Sequence, residues 1–201
     1  WPAVDEVRAY RQQVRQMVND LIERTPVSLP VGWDNPLWII LMGIEHSRIH
    51  LETSSVLIRQ IPLDFLKPIT DWRICDERGK APLNELIEVK GGSVHLGKPF
   101  NHNLYGWDNE YGTHDAVIDD FKASKYLCSN GEYLDFIESG GYDDAQNWTE
   151  EGWRWKMFDG KGHPRFWRKT ESGWKLRLVF NEIEMPWNWP VEVNYLEAKA
   201  F

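Results

Sequence analysis

Cysteine is scarce in this sequence: Cys75 and Cys128 are the two thiols among 201 residues. They lie far apart and lack the paired spacing of a zinc or iron–sulfur site. A disulfide framework needs more cysteines and an exported chain, and no secretory signal opens this one. We therefore expect two reduced thiols in a cytoplasmic protein.

Basic residues are also in the minority. The chain has 23 Lys and Arg against 31 Asp and Glu, for a net charge of −8. Nucleic-acid binding would need clustered basic residues, which are missing here. No apolar run reaches about 18 residues, the length needed for a transmembrane helix. We expect neither a nucleic-acid partner nor a membrane partner.

Several catalytic signatures are missing too. The sequence has no Gly-x-Ser-x-Gly elbow, no phosphate-binding loop and no dinucleotide fingerprint, and the glycines of 91–97 have the wrong spacing for either glycine motif. Tryptophan, by contrast, is abundant, with 12 residues concentrated in the second half. Such residues can form a sugar-binding platform or fill the core of a loop-rich domain, and we favour the core.

The most informative motif is the histidine pair His46 and His50. An i, i+4 spacing on a helix places both imidazoles on one face, one turn apart, within reach of one metal ion. Imidazole suits zinc, iron, copper and nickel, so the pair alone does not select the metal. A zinc protease would carry glutamate directly after the first histidine, where this chain has Ser47. A hydrogen-bonded pair of structural histidines is the alternative.

The neighbouring Glu52 is a poor third ligand. At about 100° per residue, it points roughly 220° beyond the midpoint of the two histidines. It shares a stripe with Glu45 and Arg48, the spacing of an ion-paired face, so we interpret it as supporting or structural. The helix is apolar on nearly all sides over 37–44, which predicts that it is buried. Desolvated imidazoles need a metal or hydrogen bonds, and this favours the metal.

The chain divides into two regions of different pattern. Apolar residues at helical spacing predict a helix over 3–24, and a second helix over about 36–60 begins at Asn35-Pro36. Prolines then mark a linker. Beyond it we predict strands and helices separated by irregular loops; the strands are 87–89, 93–96 and 175–180, and the helices are 130–138, capped by Ser129, and 193–201.

Long strings of residues resemble one family. They are Trp38-Ile-Ile-Leu-Met-Gly-Ile-Glu-His46, Leu51-Glu-Thr-Ser-Ser-Val-Leu-Ile-Arg-Gln60, Tyr105-Gly-Trp-Asp-Asn-Glu-Tyr-Gly112 and the stretch from Met185 to Phe201. They resemble the 5-histidylcysteine sulfoxide synthases of ovothiol biosynthesis, and the likeness covers nearly the whole chain. It implies an α+β architecture. The end of a DinB-like helical bundle (1–61) and a linker (62–84) precede part of a formylglycine-generating-enzyme-like, C-type-lectin-like domain (85–201).

The resemblance also implies a chemistry. Such enzymes use a mononuclear non-haem Fe(II) and O2 to join the sulfur of L-cysteine to the imidazole of L-histidine as a sulfoxide. By this likeness His46 and His50 are two of three histidine iron ligands, and the third comes from an earlier helix outside this chain. The catalytic tyrosine and most substrate contacts of the family come from later segments. We therefore assign no catalytic or substrate-binding residue here.

Three alternatives remain open at this point. The ergothioneine-pathway sulfoxide synthases share the architecture but use hercynine, a betaine of histidine. DinB-like bundles with histidine-bound metals also include thiol-dependent transferases and hydrolases. A lectin-like fold can be a non-catalytic binding module. The other four histidines, His95, His102, His114 and His163, have no ligand spacing and are expected to be structural, as are the loop carboxylates of Asp108 and Glu110.

Overall fold

The structure is a computed structural model and describes residues 1–160 and 162–201. Helices and two-stranded or three-stranded antiparallel sheets alternate along the described residues. The helices are α1 (Val4–Arg24), α2 (Leu37–Ile58), α3 (Asn130–Glu138), α4 (Glu150–Asp159) and α5 (Tyr195–Ala200); the strands are β1 (Leu86–Val89), β2 (Gly92–Lys98), β3 (Gly112–Ile118), β4 (Phe121–Ser124), β5 (Trp167–Thr170), β6 (Gly173–Arg177) and β7 (Glu182–Glu184).

The chain forms two compact units that interleave in sequence. One contains Trp1–Thr53 and Gly91–Asp119, and the other contains Ser54–Lys90 and Asp120–Phe201. The first therefore holds α1, most of α2 and the β2–β3 hairpin. The second holds the remaining elements. The proposed domain boundaries at 61 and 85 stay a prediction.

The two long helices form where the sequence predicts them. Asn35 caps α2, because its side-chain oxygen accepts the backbone N–H of Leu37 at 2.9 Å. α1 carries Asp5 and Glu6 in its first turn and Arg24 in its last, which suits the helix dipole. Within the described residues, no helix combines the length and apolarity needed to cross a membrane.

The predicted burial of α2 is wrong. None of its residues from Leu37 to Ile58 is buried, and His46 and His50 are exposed. An apolar helix is buried only where other residues pack against it. The described residues pack against some sides of α2 but not all of them. Large apolar residues such as Ile39, Ile49 and Leu57 remain exposed as a result.

In the second unit, tryptophans build the core, as the sequence favoured. Trp167 on β5 is 1% exposed and packs with Leu176 of β6 and Met185. A separate cluster joins Trp148 to Tyr142 and to α5. β6 is the central strand, paired antiparallel with β5 and with β7. The rings thus fill the interior, which does not favour a sugar platform.

Helix α3 is positioned by a capping box. Ser129 Oγ accepts the backbone N–H of Glu132 at 3.2 Å, and the Glu132 carboxylate accepts the backbone N–H of Ser129 at 2.8 Å. Gly140 then takes φ +85°, the left-handed conformation that ends a helix. The predicted helix over 130–138 is confirmed. The predicted strand 175–180 is displaced, because β6 begins at Gly173 and ends at Arg177.

Candidate metal site

The candidate metal site consists of the histidine pair on α2. The two ring centroids lie 4.6 Å apart, and the ring planes are nearly perpendicular, at 89°. The pair is thus on one face of the helix, one turn apart, as predicted. Both rings are exposed.

One side of α2 faces α1. Residues of the two helices line a groove of about 740 Å³, and its α2 wall consists of Ile39, Ile40, Gly43, Ile44, Ser47, Arg48 and Leu51. At about 100° per residue, the mean direction of this wall is close to that of Ile40. The groove therefore defines the α1-facing side of the helix.

A second side faces the loop that joins β2 to β3. Trp38 donates its indole N–H to the carbonyl oxygen of Gly106 at 2.7 Å. Burial, and then the carboxylates of Glu45 and Glu110, raise the pKa of Tyr105 in that loop. Trp38 and Glu45 are seven residues apart and so lie on the same stripe.

The histidines occupy the third side of the helix. At about 100° per residue, the midpoint of His46 and His50 points roughly 100° from the α1-facing direction. It points roughly 110° from the stripe of Trp38 and Glu45. The groove beside α1 reaches this side at Ile39 and Gly43, whereas His46 and His50 are exposed and are not among its lining residues.

Residues 1–160 and 162–201 supply no complete metal site. No group of three or more His, Cys, Asp or Glu side chains within them could hold an ion. The two imidazoles fit part of a histidine-ligated metal site. The expectation of a third histidine ligand from another segment remains a prediction.

The ion-paired stripe beside the histidines forms as predicted. Arg48 Nη1 lies 3.1 Å from Glu45 Oε1. This pair is exposed and lies on a different side of α2 from the imidazoles. Glu52 is exposed as well. The supporting or structural role expected for Glu52 stays a prediction.

Three of the other four histidines have local partners. His95 Nδ1 lies 2.6 Å from Asp115 across the β2–β3 hairpin, and His102 Nδ1 accepts the backbone N–H of Leu104 at 3.1 Å. His163 Nδ1 lies 3.0 Å from the carbonyl oxygen of Pro164. Such contacts are typical of structural histidines.

The loop between β2 and β3 is held by a lysine. Lys98 Nζ donates to the carbonyl oxygen of Tyr105 at 2.8 Å and to Glu110 Oε2 at 3.2 Å. A backbone hydrogen bond from Trp107, and then Lys98, lower the pKa of Glu110. The expected structural role of Glu110 thus has a clear physical basis.

A comparison with known protein families assigns most of the chain to one domain family. Residues 73–201 match the model of the sulfatase-modifying factor enzyme 1-like domain. The chain belongs to this family. The match supports a formylglycine-generating-enzyme-like domain, and the mixed helices and strands agree with the α+β class. The bounds of 85–201 stay a prediction.

Curated relatives extend the match toward the N-terminus. Hercynine oxygenase of Mycolicibacterium smegmatis is 28% identical over 199 residues, which are 98% of this chain and 44% of that protein. Hercynine oxygenase of Mycobacterium tuberculosis is 38% identical over 96 residues, 47% of this chain and 22% of that protein. Ergothioneine biosynthesis protein 1 of Neurospora crassa is 24% identical over 149 residues, which are 68% of this chain and 17% of that protein.

The chain therefore spans less than half the length of these curated relatives. These relatives carry the names of an oxygenase and of an ergothioneine biosynthesis protein. The broad expectation of a sulfoxide-synthase relative is supported. None of the three carries a name that refers to ovothiol, and the DinB-like identity of the helical region stays a prediction.

Proposed function

We propose that this chain is part of a mononuclear non-haem Fe(II), O2-dependent sulfoxide synthase. The enzyme joins the sulfur of L-cysteine to a histidine-type imidazole and oxidises that sulfur. The observation that carries the proposal is the exposed pair of histidines on one face of α2. It lies within a chain that aligns over 98% of its length with a hercynine oxygenase.

The donor set suits this chemistry. Neutral imidazoles bind Fe(II) and leave coordination positions open, as in non-haem iron oxygenases. When bound, Fe(II) would supply a site at which a thiolate and O2 can meet. His46 and His50 would hold it, together with a third ligand from another segment of the protein. The role of this chain is to keep both imidazoles on one helical face.

The overall reaction balances without a further reductant. A cysteine S–H bond and an imidazole C–H bond break, and a C–S bond forms. One oxygen atom of O2 ends on sulfur as the sulfoxide. The other leaves as water with the two hydrogen atoms. The two substrates thus provide all four electrons that O2 accepts.

Hercynine is the first candidate for the imidazole substrate. Relatives named hercynine oxygenase align with the chain, and this favours the ergothioneine-type reaction over our first expectation of an ovothiol synthase. L-histidine is the second candidate, because the strings around His46 and Tyr105 resemble the ovothiol enzymes. The two acceptors differ only in the trimethylated amine.

A competition assay on the whole protein tests the proposal. Purified protein loaded with Fe(II) receives L-cysteine, O2 and equal amounts of hercynine and L-histidine, and the sulfoxide products are quantified by mass spectrometry. We expect O2-dependent sulfoxide from at least one acceptor, with hercynine preferred. Preference for L-histidine would instead support the ovothiol-type reaction.

Zinc content without O2 consumption would contradict the proposal. That result would instead favour a thiol transferase or hydrolase. His114→Ala is a suitable control, since this exposed histidine on β3 lies outside the pair. It should keep full turnover.

A further inference from the structure

Helix α2 begins with two turns of unbroken apolar sequence. Every residue over 37–44 is apolar, and at about 100° per residue these side chains point in all directions around the helix axis. Ile39 and Ile44 are 58% and 46% exposed. The hydrophobic effect is non-directional, so packing against α1 would bury similar apolar area at several rotations of α2 about its axis. Hydrophobic packing alone therefore leaves this rotation poorly specified.

One directional contact distinguishes among these rotations. Trp38 carries the only side-chain N–H or O–H group in the run 37–44, and it donates this N–H to the carbonyl oxygen of Gly106 at 2.7 Å. A hydrogen bond weakens steeply when donor and acceptor are misaligned, so this one tolerates only a narrow range of helix rotations. The bond is partly buried, where a carbonyl oxygen that loses its donor is not freely compensated by water.

The acceptor of this bond is held in place by its own loop. Gly106 is buried, and Lys98 Nζ donates to the carbonyl oxygen of the adjacent Tyr105 at 2.8 Å and to Glu110 Oε2 at 3.2 Å. A Cβ atom on Gly106 would lie 2.6 Å from Lys98 Nζ, so the lysine closes tightly over the glycine. These residues and the histidine pair belong to one compact unit, 1–53 with 91–119.

A small rotation of α2 would displace the imidazoles by a distance that matters for metal binding. A helix with its side chains has a radius of about 5–6 Å, so a rotation of about 5° moves a ring by about 0.5 Å. Metal ligands have to be held within about 0.5 Å of their working geometry. His46 and His50 would keep their mutual spacing during such a rotation, but both would move relative to a third donor.

We propose that Trp38 is a positioning residue for His46 and His50. Its bond to Gly106 sets the rotation of α2, and hence the direction in which the helix presents both imidazoles. This inference rests on the proposed function, in which a third ligand from another segment completes the iron site. It adds a residue that influences metal binding through the helix and touches neither the metal nor the substrates.

The test compares Trp38→Phe with Trp33→Phe in the whole protein. Phenylalanine at either position keeps an aromatic ring, but at position 38 it also removes the bonded N–H. Trp33 is the matched control: its ring packs against those of Trp38 and Tyr111, and its indole N–H makes no hydrogen bond to the residues that the structure describes. Each protein is titrated with Co(II), whose visible absorption reports the ligand geometry. Thermal unfolding and steady-state kinetics are measured in parallel.

We expect Trp38→Phe to weaken Co(II) binding about tenfold and to alter its spectrum, as when residues that orient metal ligands are removed. The same variant should lower kcat more than it raises KM. Trp33→Phe should lower the unfolding temperature through lost packing and leave the Co(II) affinity, the spectrum and kcat unchanged. If Trp38→Phe does not fold, Lys98→Met provides the same readouts, because it loosens the loop that carries the acceptor. Its effect on Co(II) binding should have the same direction and be smaller.

A lower unfolding temperature with unchanged Co(II) affinity, spectrum and kcat in Trp38→Phe, or in Lys98→Met if it replaces that variant, would overturn the inference. Equal spectral changes in Trp38→Phe and Trp33→Phe would also overturn it, because packing and not the bond would then set the rotation. His46→Ala separates these failures from failure of the proposed function. If His46→Ala retains the metal, the proposed site is wrong. If it loses the metal while Trp38→Phe binds normally, only the positioning role is wrong.

Discussion

Trp38 donates its indole N–H to the carbonyl oxygen of Gly106 across 2.7 Å, although 68 positions separate them in the sequence. This bond ties one side of α2 to the loop between β2 and β3. His46 and His50 lie on another side of α2, roughly 110° from the stripe that carries Trp38.

Replacing Trp38 by phenylalanine should destabilise the protein. The Gly106 residue is buried, so its carbonyl oxygen would lose a partner that water does not easily replace. We expect the free energy of unfolding to fall by about 1–2 kcal/mol in urea titrations. Trp1→Phe is the control, because Trp1 is fully exposed, and it should have no effect. Equal stabilities of the two variants would show that the bond contributes nothing.

A second buried bond joins α5 to the core of its unit. Tyr142 donates its hydroxyl to Glu197 Oε1 at 2.6 Å, and both residues are nearly fully buried. Burial, and then hydrogen bonding to Glu197, raise the pKa of Tyr142, so its phenol stays a donor at neutral pH. Tyr142→Phe should cost about 1.5–3 kcal/mol, since a buried carboxylate loses a charge-assisted bond.

The control for Tyr142→Phe is Tyr195→Phe. Tyr195 is 75% exposed, and its loss should change the unfolding free energy by less than about 0.5 kcal/mol. Chemical denaturation followed by tryptophan fluorescence measures both. A Tyr142→Phe variant as stable as the control would mean that Glu197 is satisfied without the phenol.

The two thiols should differ in reactivity. Burial, and then the carboxylate of Glu132, raise the pKa of Cys128 to about 11, whereas Cys75 is exposed. The thiolate is the reactive form, so iodoacetamide at pH 8 should modify Cys75 and spare Cys128 in the folded protein. Peptide mass spectrometry gives the site. Equal labelling of both would contradict the burial of Cys128.

The same shift predicts a pH dependence of stability. The pKa of Cys128 is higher in the folded protein than its ordinary value of 9.0, so the unfolded chain loses this proton first. Its contribution to stability is present below pH 9 and is lost as the pH rises toward about 11. Cys128→Ala should make the unfolding free energy fall less steeply over that window.

Local signals in the sequence predicted four of the five α-helices among the described residues, and α4 was missed. Asn35 and Ser129 each cap a helix through bonds to residues two or three positions away, so the signal and its effect lie together. The i, i+4 spacing of His46 and His50 likewise fixed their common face. Strands β3, β4, β5 and β7 were not predicted, because a strand of three to seven residues depends on a partner elsewhere in the chain.

Burial was the least predictable property. The apolar run of 37–44 suggested a hidden helix, yet burial depends on what covers each face. The contacts of Arg59 with Arg177 and Glu192 span more than 100 positions and have no local signature. The sequence therefore indicated which residues form the candidate site, but not that they would be exposed.

Metal binding by the whole protein tests the central claim most directly. Fe(II) is titrated anaerobically into the unaltered protein, His46→Ala, His50→Ala and the control His114→Ala, and bound metal is quantified after gel filtration. We predict one Fe(II) in the unaltered protein and in the control, and background metal in both pair variants. Stoichiometric Fe(II) in His46→Ala and His50→Ala would contradict the assignment of the histidine pair.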